Sequence, residues 1–350
     1  MLPDQLCLDD RLVSAPYGAL AELDSRHTAI LWLNVAESES RAFAQMTAIS
    51  RMAWDENPAA WSGQSAAALE RAARTLVRSL RAAWRARPVI VVRGLPVAPI
   101  PPVTPYGGVV DVTASRQSII NLGAVLACLN LHPVAYAGEA TSVLHAVCPV
   151  SRAAGEVSSH GFDAALPFHT DYADRPIDEP VVDRSPGAAA LGFAVERAEP
   201  AIPMECVPTA RLMRALSPGQ IAIGRREEFV VQAPAIFGGG QSAQIRRLFP
   251  GDTGPGFRCR LNLGRMTGAT ARAARLLREI HDILSGEIVT DEIHVRRGDI
   301  VVMDNRRTIH RRPSFTPRWD GTDRYFIRMS ATRDPLARLP SDPRRPWVWT

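Results

Sequence analysis

GDIVVMDNRRTIHRR, residues 298–312, decides how this chain is read. Asp299 to Asp304 is a short β-branched run bounded by Gly298 and by an Asp-Asn pair, which predicts a buried strand running into a turn. His310 follows that turn. WDGTDRYFIR, residues 319–328, begins in turn residues and ends in a second strand. Arg324 lies fourteen residues beyond His310, and Arg328 stands four residues further on the same strand face, since side chains alternate with period two.

Upstream, FHTDY at residues 168–172 places His169 and Asp171 two apart on an extended segment, so both point to one side. One imidazole and one carboxylate so placed can grip one metal ion. The triplet alone is a common string. It gains weight from His310, because two histidines and one carboxylate form the facial set that leaves open positions on a non-haem iron.

Short apolar segments separated by turns surround these motifs: 142–150, 188–195, 220–231, 257–263, 287–294 and 299–304. That spacing suggests a β-sandwich or barrel. Helical periodicity marks 65–85, 118–130 and 270–284, the last with His281 on its apolar side and Gly286 as its C-cap. Residues 88–92 read as a buried strand. The proline-crowded stretch 96–105 predicts an ordered extended loop or a linker, and 174–186 and the glycine run at 237–241 predict loops over a site. The fold class expected is α+β with a mainly β core.

Composition excludes several alternatives. Of 350 residues 46% are hydrophobic, enough for a sizeable core, and no stretch approaches a membrane span. The N-terminus carries acids where a secretory signal carries bases, which predicts a cytoplasmic protein. Five scattered cysteines, Cys7, Cys128, Cys148, Cys206 and Cys259, lack a CxxC spacing and read as reduced core residues. The net charge of +5 comes from arginine with no lysine, and the arginines are dispersed among acids. No basic stripe with interleaved aromatics points to nucleic acid, and no segment points to a membrane partner. The other histidines, His27, His132, His145, His281 and His294, have no neighbour at ligand spacing, and no GxSxG elbow suggests a hydrolase.

Together the motifs resemble the clavaminate synthase-like branch of the TauD superfamily of Fe(II)/2-oxoglutarate-dependent oxygenases, the branch of asparagine oxygenase and arginine hydroxylase. The shared string runs through Asp304, Asn305, Arg307, His310, Arg312, Phe315, Arg318, Trp319, Asp320, Gly321, Thr322, Asp323, Arg324 and Arg328. The resemblance covers roughly residues 88–335. It implies a double-stranded β-helix, or jelly roll, with flanking helices, in one oxygenase domain over 1–350. That domain would have a helical N-terminal part, 1–87, and a core, 88–335.

By the same resemblance His169, Asp171 and His310 hold Fe(II), and the cosubstrates are 2-oxoglutarate and O2. Arg324 meets the distal carboxylate of 2-oxoglutarate with its planar fork. Arg328 takes a substrate carboxylate and Glu139 a substrate amine, while Ser158, Ser159 and His160 line the substrate pocket. The activity implied is hydroxylation of an unactivated C–H bond of a free or modified amino acid in natural-product metabolism such as antibiotic biosynthesis. A carboxylate at 171 favours this over halogenation, which needs that position open.

Three departures qualify the resemblance. Most of the branch has His-x-Glu where this chain has Asp171. Residues 201–206, AIPMEC, lack the threonine that relatives use to help hold 2-oxoglutarate. Where the arginine hydroxylase offers acids to a guanidinium, this chain has Arg260, Asn262 and Arg265. An acidic, phosphorylated or carrier-tethered substrate is therefore one alternative, and a ligand-binding β-helix protein without turnover is another.

Overall fold

The computed structural model describes residues 29–49, 58–139, 142–177, 185–233, 243–250, 257–334 and 345–349. Cys7, His27, the glycine run at 237–241 and residues 178–184 of the expected 174–186 loop lie outside the described residues. The elements in chain order are β1 (Ile30–Asn34), α1 (Glu37–Ile49), α2 (Pro58–Ala72), α3 (Arg74–Ala86), β2 (Val89–Arg93), α4 (Arg116–Cys128), β3 (His132–Tyr136), β4 (His145–Val147) and β5 (Leu166–His169). They continue with β6 (Ala190–Arg197), β7 (Met204–Pro208), α5 (Thr209–Ala215), α6 (Pro218–Gly224), β8 (Phe229–Gln232), β9 (Ala243–Arg246) and β10 (Met266–Gly268). The last are α7 (Ala271–Asp282), β11 (Asp291–Ile293), β12 (Ile300–Asp304), β13 (Thr308–Arg312), β14 (Tyr325–Thr332) and β15 (Val348–Trp349).

Two sheets position the site. The larger has eight strands in the order β1-β2-β12-β6-β14-β3-β15, with β4 also paired to β14. The smaller runs β11-β7-β13-β5, and a separate three-stranded sheet runs β10-β8-β9. Alternation on β12 shows why the large sheet is covered on both faces. Ile300 and Val302 join the core beneath α1–α4, whereas Val301 and Met303 join Met204, Cys206 and Ile293 of the small sheet. A third core, built on Val207 and Ile309, fills the outer side of the small sheet beneath α7. A strand with both faces buried reads as the continuous apolar run seen at 300–303.

Several expectations need correction. The segment 220–231 is not one strand: α6 occupies its first half and β8 its end. A capping box between Ser217 and Gln220, with proline in the first turn, overrides the β-branched run. Residues 257–263 form an extended segment whose regular pairing is limited to a bridge between His169 and Asn262. The single helix expected over 65–85 is two, α2 and α3, broken at Ala73, where Glu39 of α1 accepts the Leu76 N–H at 3.1 Å and so satisfies an amide in the first turn of α3. Residues 1–87 are not all helical, because β1 supplies an edge strand parallel to β2. Gly286 is no C-cap: the chain passes through a π-turn at Ile283–Glu287. His281 projects to solvent beside Asp282, while Ala273, Leu276, Leu277 and Ile280 make the buried stripe of α7.

The 96–105 loop is ordered without helix or strand, as expected, and Arg197 holds it by donating to Pro102 O at 2.6 Å. Cys128, Cys148, Cys206 and Cys259 are buried and unbridged. No helix among the described residues is long and apolar enough to cross a membrane.

Gly268 sets how closely α7 approaches β10. A Cβ there would lie 2.1 Å from the Ala274 nitrogen and 2.6 Å from the Ala273 carbonyl carbon, which are backbone atoms that no rotamer change can move. Gly268→Ala should therefore cost about 1–3 kcal/mol through overpacking. Urea denaturation measures this, and a loss under ~0.5 kcal/mol, the ordinary surface range, would show that α7 slides freely.

Candidate metal centre

His169 ends β5, Asp171 follows it in a turn, and His310 lies on β13 directly opposite His169 in the antiparallel register. Strand pairing thus joins two histidines that are far apart in sequence. Ligand atoms of His169, Asp171 and His310 all lie within 4.8 Å of one another.

The donor set fits a divalent cation. His169 Nδ1 donates to Pro167 O at 2.9 Å, which fixes the tautomer and leaves Nε2 as a lone pair. That Nε2 lies 3.1 Å from Asp171 Oδ1, and His310 Nε2 lies 3.7 Å from the same oxygen. Burial, then the neighbouring His169, pushes the His310 imidazole down to about 3, so it is neutral at pH 7. Burial alone would raise the Asp171 carboxyl, but Arg328 and the two histidines outweigh it and hold it well below the usual carboxylate range. Two imidazoles and one carboxylate that converge in this way suit a metal ion.

Asn305 secures the carboxylate ligand through the backbone. Its Oδ1 accepts the Asp171 N–H at 2.8 Å, and its Nδ2 donates to Asp171 O and Ala188 O, both at 2.9 Å. Tyr172 then takes a left-handed conformation with φ of 57°, a strain of about 1–3 kcal/mol for a bulky residue. Its hydroxyl donates to Glu139 Oε2 at 2.6 Å and lies 2.9 Å from Ser330 Oγ, so the strained turn is tied down at its side chain.

Arg324 immediately precedes β14 and is 6% exposed, yet its guanidinium makes no hydrogen bond with the described residues; it lies 4.0 Å over the Phe326 ring. Burial, then the charge of Arg312, pushes it down to about 9, which leaves it cationic at neutral pH. The loop before it is built around Asp323, whose carboxylate accepts the Arg318 and Trp319 N–H groups at 2.8 and 2.9 Å and the Tyr106 hydroxyl at 2.6 Å. Thr104 donates to Asp323 O at 2.6 Å, so the proline-rich loop braces the turn that delivers Arg324.

Arg328 reaches Asp171 Oδ2 at 2.8 Å and pairs closely with Glu139. Burial works against its charge, and Glu139, Tyr172 and Asp171 together raise its pKa above the usual arginine value. His145, opposite Arg328 in the β4–β14 register, lies 3.8 Å from Glu139 and 2.8 Å from Ser159 Oγ, and its ring stacks on His160 at 5.0 Å. Glu139, Ser159 and His160 are therefore brought to the Arg328 side of the metal cluster. Ser158 serves its own loop instead, with Oγ donating to Glu156 and accepting the His160 and Gly161 amides. Arg260 does not line this space: it is fully buried and donates to Arg175 O and Arg247 O.

Asn305, Tyr106, Thr104 and His145 were not singled out from the sequence as functional. Asn305 sits inside the quoted motif, where it reads as a turn residue. The others lie at distances along the chain that only the sheet closes.

Residues 222–330, from α6 to β14, match the taurine catabolism dioxygenase TauD, TfdA family. L-asparagine oxygenase of Streptomyces coelicolor is 30% identical over 254 residues, 70% of this chain and 71% of that protein. The chain belongs to the TauD/TfdA family. It is an Fe(II)/2-oxoglutarate-dependent oxygenase. L-lysine 3-hydroxylase of Catenulispora acidiphila is 25% identical over 279 residues, 77% of this chain and 74% of that one. The crystal structure of asparagine oxygenase in complex with Fe(II), 2S,3S-3-hydroxyasparagine and succinate is similar in fold, with a TM-score of 0.75 at 23% identity over 91% of this chain and 98% of that one. The TauD/TfdA match includes His310, Arg324 and Arg328 and leaves His169 and Asp171 upstream of it.

Proposed function

We propose that His169, Asp171 and His310 hold the iron, that Arg324 receives the distal carboxylate of 2-oxoglutarate, and that the enzyme hydroxylates a free amino acid. The observation that carries the cosubstrate assignment is the buried Arg324 guanidinium, which has no hydrogen-bond acceptor among the described residues. A desolvated charge of this kind is costly unless an anion meets it, and a forked cation matches a carboxylate bidentately. Iron bound by the three ligands supplies the chemistry that couples decarboxylation of 2-oxoglutarate by O2 to oxidation of a C–H bond. The chain's own residues orient the ligands: Pro167 O and Asn305 hold the His169 ring and the Asp171 backbone, and burial keeps His310 neutral.

The two facing sheets are read as a double-stranded β-helix, a jelly roll closed by α1–α4 on one side and α7 on the other, in a single oxygenase domain. The fold likeness to asparagine oxygenase supports this reading.

The amino-acid reading rests on the Arg328–Glu139 pair beside Asp171. Opposite charges held together next to a metal ligand suit a zwitterion, whose carboxylate faces Arg328 and whose ammonium faces Glu139. The relatives named as asparagine oxygenase and lysine 3-hydroxylase act on such molecules. Ser159, His160 and His145 then line the side-chain end, where hydroxyl and imidazole groups suit a polar substrate. Succinate formation with Fe(II), 2-oxoglutarate and O2 across the L-amino acids tests the reading. One or more free amino acids should stimulate it, and the N-acetyl and methyl ester forms of the best substrate should not. Equal stimulation by the blocked forms would remove the zwitterion from the account.

Asn305 provides a further check. Because it holds a ligand's backbone and not the metal, Asn305→Ala should weaken metal binding by ~10–100-fold, the usual cost of losing an outer partner. Cobalt(II) titration measures it, and unchanged affinity would make the Asn305 contacts purely structural.

A further inference from the structure

A cavity of about 540 Å³, with none of the three metal ligands among its described lining residues, lies between the C-terminal half of α3 and the hairpin that joins β12 to β13. Six arginines line it: Arg81, Arg85, Arg258, Arg306, Arg307 and Arg333. Among the described lining residues the one carboxylate is Asp304. It is buried and already accepts Arg307 Nε at 3.0 Å, an Arg333 amine at 3.2 Å and the Arg306 N–H at 3.1 Å. Its oxygens are committed to holding the lining in place.

Main-chain carbonyls take further guanidinium donors. Arg307 donates to Trp84 O and Arg87 O, Arg81 to Cys128 O, and Arg306 to Gly187 O. A neutral carbonyl orients a guanidinium without cancelling its charge. Arg81 also pairs with Glu70. The remainder of the wall includes the buried Trp84 and Leu129, an apolar side next to the cationic one.

We infer that this cavity is a binding site for the diphosphate group of a small molecule, separate from the catalytic centre. Like charges gathered around one concavity focus a positive potential that an anion relieves. Planar guanidinium forks match phosphate oxygens two at a time. Several forks around a volume within the usual range for small-molecule sites exceed what a single monovalent anion can engage. The diphosphate can be free or carried on a nucleotide whose base lies on the Trp84 side.

Calorimetry on the full chain in metal-free chloride buffer tests this with inorganic pyrophosphate, ADP and sulfate. Pyrophosphate should bind saturably at one site, with sulfate at least about tenfold weaker, and the affinity should fall with added salt. Arg85→Ala and Arg333→Ala should each weaken it about tenfold or more, the worth of one charge-assisted hydrogen bond. Both side chains lie at the solvent-facing rim, so circular dichroism should show each variant folded. Arg214→Ala, on α5 outside the cavity, should leave binding unchanged. Tighter binding of ADP than of pyrophosphate supports a nucleotide, and equal binding supports free diphosphate. The inference is overturned if pyrophosphate gives no saturable binding, if sulfate binds as well, or if Arg214→Ala weakens binding as much as the cavity variants.

Discussion

Replacing His310 with alanine is expected to remove iron binding and to lower turnover to the background of free Fe(II). The imidazole contributes Nε2 to the cluster, and its buried Nδ1 has no hydrogen-bond partner among the described residues, so its other contacts do little to hold the fold. Loss of a ligand should exceed the ~10–100-fold penalty for losing an outer partner, which makes it larger than the Asn305→Ala effect. An open catalytic site contributes less to folding than a closed structural one, so thermal stability of the metal-free protein should change little. Equilibrium dialysis with iron and a melting curve make the check together. An unchanged iron affinity would take His310 out of the ligand set, and a collapse of the fold would show that it serves packing first.

The second large effect concerns Arg324. Arg324→Lys keeps the charge and loses the fork, so the affinity for 2-oxoglutarate should fall by about 1.5–3 kcal/mol, or roughly 10- to 150-fold. Arg324→Leu should weaken it at least as much and also stabilise the ligand-free protein, because it removes a buried cation that meets an aromatic ring and, among the described residues, no acceptor. In wild type, 2-oxoglutarate at 100 times its Kd should raise stability by about 2.7 kcal/mol, a gain the leucine variant should lack. Melting curves with and without 2-oxoglutarate read both consequences. If Arg324→Leu destabilised the ligand-free protein and kept the gain, the guanidinium would be a structural group.

Period-two alternation and turn chemistry made much of the site readable before any coordinates. The run at 300–304 is a strand because both its faces are buried, and the Asp-Asn pair after it does form the turn. His169 and Asp171 do converge, but Asp171 lies in a turn beyond the end of β5 and not on the extended segment that the spacing implied, and the sheet register adds His310 to them. Local signals failed where longer contacts or caps decided. The Ser217–Gln220 box made a helix from a β-branched run, and Glu39 allowed a helix boundary at Ala73 without glycine or proline. His145 lacked a histidine or carboxylate at ligand spacing, yet the β4–β14 register puts it opposite Arg328. Arg260 looked like a pocket cation because it stands where the resemblance to the arginine hydroxylase places substrate-facing acids, but its guanidinium serves the main chain of two neighbouring loops.

Anaerobic titration of Fe(II) with 2-oxoglutarate, followed by the visible charge-transfer absorption of the chelated complex, addresses the central claim most directly. Wild type should develop the band at one equivalent of iron, His310→Ala should show none, and Arg324→Leu should reach the wild-type intensity only at much higher 2-oxoglutarate. A band of the same intensity, iron stoichiometry and 2-oxoglutarate dependence in all three proteins would contradict the assignment of both residues.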